Sequence, residues 1–124
     1  MSSAIGEAKA VAVKIQQYAT GCQTGEGSHF KAAFHPDARM FGAEGAERYD
    51  LPIFGGMDTA VADQPAPDLE YQILSIDIEG DAACVKVAES HFWGQDFVDF
   101  FILNRIAGEW EIVGKSFAHT GASA

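Results

Sequence analysis

Leu69-Glu-Tyr-Gln-Ile-Leu-Ser-Ile-Asp-Ile78, Ala82-Ala-Cys-Val-Lys-Val-Ala-Glu-Ser-His-Phe-Trp93, Asp96-Phe-Val-Asp-Phe-Phe-Ile-Leu-Asn-Arg-Ile106 and Trp110-Glu-Ile-Val-Gly-Lys-Ser-Phe117 are the runs that decide the fold. β-branched and aromatic residues crowd all four, and turn residues separate them: Glu79-Gly80-Asp81, Gly94-Gln95 and Ala107-Gly108. Short Gly-containing connections make consecutive strands antiparallel, so residues 68 to 119 read as a four-stranded meander. Such a sheet buries an apolar face only against a second layer, which the N-terminal half must supply.

That half begins with a helix over residues 4 to 22. Ile5, Ala8, Ala12, Ile15, Ala19 and Cys22 recur at helical spacing, with Tyr18 at the edge of the stripe. A loop from Gly21 to Gly27 leads to a short helix capped by Ser28 and running through Phe30, Ala33 and Phe34. It should stop at His35, because the residue before Pro36 avoids helical angles. Asp37 to Phe41 reads as a first strand and Gly42 to Asp50 as a hairpin or loop. Pro52 then opens a third helix through Ile53, Phe54, Met57 and Val61, with Asp50 as its cap. Gly55-Gly56 weakens that helix by on the order of 1 kcal/mol per glycine relative to alanine. Residues 62 to 68, with Pro65 and Pro67, link it to the meander.

The 124 residues suit one domain, 1–124, with a core of its own. Eighteen acidic against eight basic residues give a formal charge of −10, which repels phosphate backbones and anionic lipid. Nucleic acid and membrane partners are not expected. No apolar run approaches the ~20 residues of a membrane-spanning helix. No signal peptide is visible at the start, and Cys22 and Cys84 lack zinc or CxxC spacing, so two reduced thiols in a cytoplasmic protein are expected. His29, His35, His91 and His119 have no metal-ligand spacing, and there is no Ser/His/Asp signature, phosphate loop or dinucleotide fingerprint. Neither a metal nor a cofactor is expected.

Gln17-Tyr18 with Gly25-Glu26, then Phe34-His-Pro-Asp-Ala38, then Gly108-Glu-Trp-Glu-Ile112 resemble the nuclear transport factor 2-like superfamily, which includes ketosteroid isomerases and SnoaL-like cyclases. Ile76 to Val87, Asp99 to Leu103 and Trp110 to Phe117 resemble, within it, the group called putative lumazine-binding. The resemblance covers nearly the whole chain. It implies a cone-like, cystatin-like α+β fold, three N-terminal helices on a curved, mainly antiparallel sheet, with a pocket at the open end. A ketosteroid isomerase uses a carboxylate base opposite a tyrosine and a protonated acid. The resemblance sets its tyrosine on Tyr18 but its base on Gly42, which disfavours that chemistry.

Strand parity with two-residue turns places Phe97, Asp99, Phe101 and Leu103 on one face with Trp110, Ile112, Tyr71 and Ile73. Lys86 would then join that face. A bulge would instead turn Val85, Val87, Glu89, His91 and Trp93 inward. Both arrangements stay open. The expected pocket holds Tyr18, Phe34, Phe54, Met57, Asp99, Phe101 and Trp110, with His91 and Trp93 in the bulged case, and takes a small apolar or aromatic ligand. Asp99, His91 and Tyr18 are the candidate catalytic residues of an alternative, a cofactor-free isomerase, cyclase or dehydratase. Otherwise Asp99 is an anchor on Arg105, Lys115 or backbone amides. A second alternative is a scaffold without a ligand. Two apolar sheet faces and three short helices predict a homodimer through the uncovered face.

Overall fold

The computed structural model describes residues 3–124. Helix α1 (Ala4–Thr24) is capped by Ser3, whose hydroxyl accepts from Gly6 N, and ends on Gly25 in the left-handed region. Its buried stripe is Val11, Ile15, Tyr18, Ala19 and Cys22. This is rotated from the expected one: Ile5 is 70 % exposed, and Tyr18 lies at the centre of the stripe.

Helix α2 (Gly27–Ala33) starts one residue after Glu26 and has no side-chain cap, so Ser28 does not serve as one. The chain turns directly into strand β1 (Phe34–Glu44), longer than expected and beginning before Pro36. His35 lies in this strand, and its Nδ1 accepts from Asp37 N. Strand β2 (Glu47–Pro52) closes a hairpin with β1. Asp50 is not a helix cap but bonds Arg39 at 2.8 Å across that hairpin.

The third helix begins later than its apolar pattern predicts. Phe54 is extended and Gly55 has φ 85°, so Ile53–Met57 is a wide turn, and α3 covers only Asp58–Asp63. Asp58 Oδ1 accepts from Gly55 N and Thr59 N, holding the turn against the helix start. Strands β3 (Glu70–Glu79), β4 (Ala82–Phe92), β5 (Gln95–Ile106) and β6 (Glu109–Ala122) form the meander.

The six strands make one sheet, ordered β2-β1-β6-β5-β4-β3. Four neighbouring pairs are antiparallel, and β1 runs parallel to β6, so the sheet is mixed. The three helices are not consecutive either, since β1 and β2 separate α2 from α3.

Bulges set which residues face the helices. In β3 one extra residue between Ile73 and Ser75 keeps Tyr71, Ile73, Ile76 and Ile78 on the side of Val85 and Val87. In β4 an extra residue between Glu89 and Phe92 places Glu89 opposite Phe97, Val87 opposite Asp99 and Val85 opposite Phe101. In β6 the shift at Val113 puts Lys115 opposite Phe101, on the face that also carries Ile112. The bulged alternative is therefore the observed one, and Lys86 points away. Beyond Glu89 the bulge changes the alternation: Phe92 turns inward, and His91 and Trp93 take left-handed backbone angles, φ 61° and 54°, with His91 left out of the cavity wall that Trp93 joins. Such angles are costly for residues with a Cβ and persist only where surrounding contacts fix them.

Candidate functional site

The bulged face of the sheet carries three charged side chains into an otherwise apolar core. Glu89 is 4 % exposed, Asp99 0 % and Lys115 4 %. Charges so far from water persist only when paired and hydrogen-bonded. Lys115 Nζ lies 3.2 Å from Asp99 Oδ2, and the Tyr18 hydroxyl lies 2.9 and 3.2 Å from the two oxygens of Glu89 and 3.3 Å from Asp99 Oδ2. The four side chains come from α1, β4, β5 and β6, so the cluster ties the long helix to the centre of the sheet.

Tyr18 is held there by aromatic packing. Its ring meets Phe101 edge-on at 4.9 Å and Phe34 at 6.0 Å, with Phe30 stacked at 6.1 Å. Lys115 Nζ lies 5.6 Å from the Tyr18 ring centre, a cation over an aromatic face.

Two carboxyl groups and one ammonium leave one carboxyl without a counter-charge. Burial, then the hydrogen bond with Asp99 and its charge, hold the Glu89 carboxyl well above the usual range, which favours its protonated form. Asp99 Oδ1 accepts from none of the amide, ammonium or hydroxyl groups around it. The protonated Glu89 carboxyl is the group that can serve it. Burial alone would pull the Lys115 ammonium down, yet the charges of Asp99 and Glu89 outweigh it and raise it. Burial also pushes Tyr18 up, keeping its hydroxyl a donor, and likewise Cys22, one helical turn on.

A cavity of about 200 Å³ opens beside this cluster. Glu89 and Lys115 are the ionisable groups on its wall. Met40, Leu51, Met57 and Ala60 line one side and Phe92, Trp93, Phe97 and Phe117 the other. Trp93 is pinned at the mouth, its indole N–H donating to Gln64 O at 2.7 Å beyond the end of α3. The bulge and its left-handed residues thus aim Phe92 and Trp93 at the cavity. A network behind them fixes the hairpin: Ser90 and Ser123 both donate to Asp96, and His91 N donates to Ser123 Oγ.

The expected site residues divide into three groups. Met57 and Trp93 line the cavity. Tyr18 and Asp99 are one step behind it, holding Glu89 and Lys115 in place. Phe34 and Phe101 do not reach the cavity, because they are spent packing on Tyr18, and Phe54 packs against the core from the turn. Trp110 lies elsewhere: its N–H donates to Glu7 Oε2 at 2.8 Å, and Arg105, itself bonded to Glu7 and Asp81, covers its ring. His91 turns to Ser90 Oγ, 3.1 Å from Nδ1, and takes no part in the cavity wall.

In the sequence, Lys115 stands out only as an anchor for Asp99, and Glu89 only as a member of the bulged set. Simple alternation from Ile112 puts Gly114 and Ser116 inside. The signal was Gly114 itself, since a glycine inside a strand marks a bulge, and one extra residue there brings Lys115 inward. Gly42, where the isomerase's base would fall, has a steric role. A Cβ on it would run into the Phe117 ring, which forms part of the cavity wall.

Among the described residues no group of three or more His, Cys, Asp or Glu is placed to hold a metal ion, and no helix is long and apolar enough to cross a membrane.

Comparison with solved structures gives the same architecture. An NTF2-like protein of unknown function from Shewanella baltica superposes with a TM-score of 0.90 at 25 % identity, covering 98 % of this chain and all of that one. Another, from Methylobacillus flagellatus, gives 0.86 at 28 % identity over 97 % of each chain. A putative ketosteroid isomerase from Shewanella frigidimarina shares the fold, with a TM-score of 0.65 at 15 % identity over 88 % of this chain and 94 % of its own. No curated protein matches the chain. The family model described as "Putative lumazine-binding" matches residues 6–118, and the chain belongs to that family.

Proposed function

We propose that this protein binds a small, flat, mostly apolar molecule of one or two rings. The observation that carries the reading is the cavity's composition: aromatic and methionine walls ending on one carboxyl, Glu89, and one ammonium, Lys115. Few, convergent polar groups in an apolar cavity are what orient a small ligand. Size sets the ring count, since a cavity of about 150 Å³ holds benzene. Trp93 at the mouth makes occupancy visible. Its fluorescence should change saturably on titration with lumazine or another bicyclic compound, and Ala60→Trp, which fills the cavity from α3, should abolish the change. Binding that survives Ala60→Trp unchanged would place the ligand elsewhere and overturn the reading.

A second reading, cofactor-free acid–base catalysis, is favoured by one feature, a buried carboxyl on the cavity wall. In it the role expected of Asp99 or His91 passes to Glu89, because Glu89 faces the cavity and those two do not. Turnover that disappears in Glu89→Gln while binding remains would establish it.

The reading includes a homodimer in the cytoplasm. Phe100 and Ile102, on the sheet face away from the helices, are 42 % and 47 % exposed, and Leu74 is 48 % exposed, an apolar surface suited to a second copy. Cys22 and Cys84 are both unpaired, which fits a reducing compartment.

A further inference from the structure

We infer that the ligand is a small aromatic or aliphatic amine, bound as its cation against Glu89 in place of that group's proton. This rests on the binding reading and names the chemical class. The charge count carries it. Asp99 and Lys115 neutralise each other at 3.2 Å, which leaves the cavity-facing Glu89 as the one carboxyl in the cluster without a cationic partner. The walls beside it suit a cation as well: Phe92, Trp93, Phe97 and Phe117 line the cavity, and an aromatic ring face attracts a cation. The chain's formal charge of −10 draws cations toward the mouth.

The exchange balances. The ammonium enters with its positive charge, the Glu89 carboxyl proton leaves to solvent, and the cluster with its ligand stays neutral: Lys115 and the ligand against Asp99 and Glu89. The other groups facing Glu89 are Tyr18 and Cys22 from α1, Asp99 from β5, Lys115 from β6 and Tyr71 opposite it on β3. Burial holds Tyr18 and Cys22 in their neutral forms, and the turn before α3 and α3 itself contribute Met57 and Ala60, which do not titrate.

The test compares 2-phenylethylamine, 2-phenylethanol and phenylacetate by calorimetry and Trp93 fluorescence. The amine should bind at least about ten-fold more tightly than the alcohol, as a charge-assisted bond with a cation over aromatic rings requires, and phenylacetate most weakly. Calorimetry in two buffers of different ionisation enthalpy should show release of about one proton with the amine and none with the alcohol, and amine affinity should rise with pH while the amine stays protonated. Glu89→Gln should remove the amine's advantage and leave the alcohol within about two-fold, since the amide keeps the shape without the charge. Equal or tighter binding of the alcohol or phenylacetate in the unaltered protein, or amine binding without proton release, overturns the inference and leaves the binding reading standing, whether or not the variant folds. Binding of none of the three overturns both.

Discussion

Lys115 Nζ and Asp99 Oδ2 lie 3.2 Å apart with both side chains buried, so the one buried ammonium among the described residues is held by a carboxylate from the neighbouring strand. Removing one partner of such a pair leaves an uncompensated buried charge, which costs about 3–5 kcal/mol. Lys115→Met should destabilise the fold by that amount in urea unfolding. Adding Asp99→Asn should recover part of the loss, because the amide needs no counter-charge. Equal stability of the double and single variants would show that the pair is not coupled.

Tyr18→Phe keeps the ring among Phe30, Phe34 and Phe101 and removes only the hydroxyl. A tyrosine bonded only to neutral partners would lose less, but this hydroxyl also lies 3.3 Å from the Asp99 carboxylate. Hydrogen bonds to charged groups contribute about 1.5–3 kcal/mol, and that is the expected loss in denaturant unfolding. A second readout separates this from simple repacking. The pH at which Glu89 ionises, followed by carbon NMR of its carboxyl, should rise further in the variant, because the hydroxyl's bond favours the charged form.

The proton on Glu89 makes stability depend on pH with a definite sign. The carboxyl titrates at its ordinary value near 4.5 when unfolded and well above it when folded. Below both values the group is protonated in either state and its contribution to stability is complete. As pH rises past 4.5 the unfolded chain releases the proton first, so stability falls by about 1.4 kcal/mol per pH unit until the folded carboxyl also ionises. Glu89→Gln should flatten this decline. Unfolding free energies measured between pH 4.5 and 8 check it, and an unchanged slope in the variant would contradict the assignment of the proton.

The meander, the first helix and the family were legible because they rest on local signals: alternation, turn glycines and the order of a few motifs. The site was not, because it depends on three single-residue bulges. Each switches the facing of the side chains on one side of it relative to those on the other, and alternation alone cannot say where one falls. Without the shift at Val113, Lys115 points outward and Asp99 has no partner. Without the one after Glu89, that glutamate is a surface residue. The third helix failed for a different reason. Its apolar spacing from Ile53 to Val61 is helical, but Gly55 prefers the left-handed region, and a wide turn at Ile53–Met57 brings Met57 to the cavity just as a helix would have.

Gly42→Ala tests how tightly the cavity wall is built. A Cβ there collides with the Phe117 ring, which has Phe97 and Tyr49 against it and so little freedom to move aside. Forcing an extra methyl into a packed site costs about 1–3 kcal/mol. The ring lines the cavity, so ligand affinity should fall along with stability. A variant that loses stability but binds unchanged would show that the ring yields toward β2 instead.

The exposed face of the sheet supplies the last expectation. Phe101 and Leu103 are fully buried under the helices, so Phe100 and Ile102, between and beside them on β5, project from the opposite side. Lys86 lies 5.7 Å from the Phe100 ring centre and leaves much of it uncovered. A homodimer through this face predicts sedimentation at twice the 13.3 kDa chain mass. Phe100→Glu with Ile102→Glu should then give a folded monomer, because the two charges meet their symmetry copies across the interface while the inner face is untouched. Unaltered protein sedimenting as a monomer at micromolar concentration would refute the dimer. A double variant that still sediments as a dimer would move the interface to another surface.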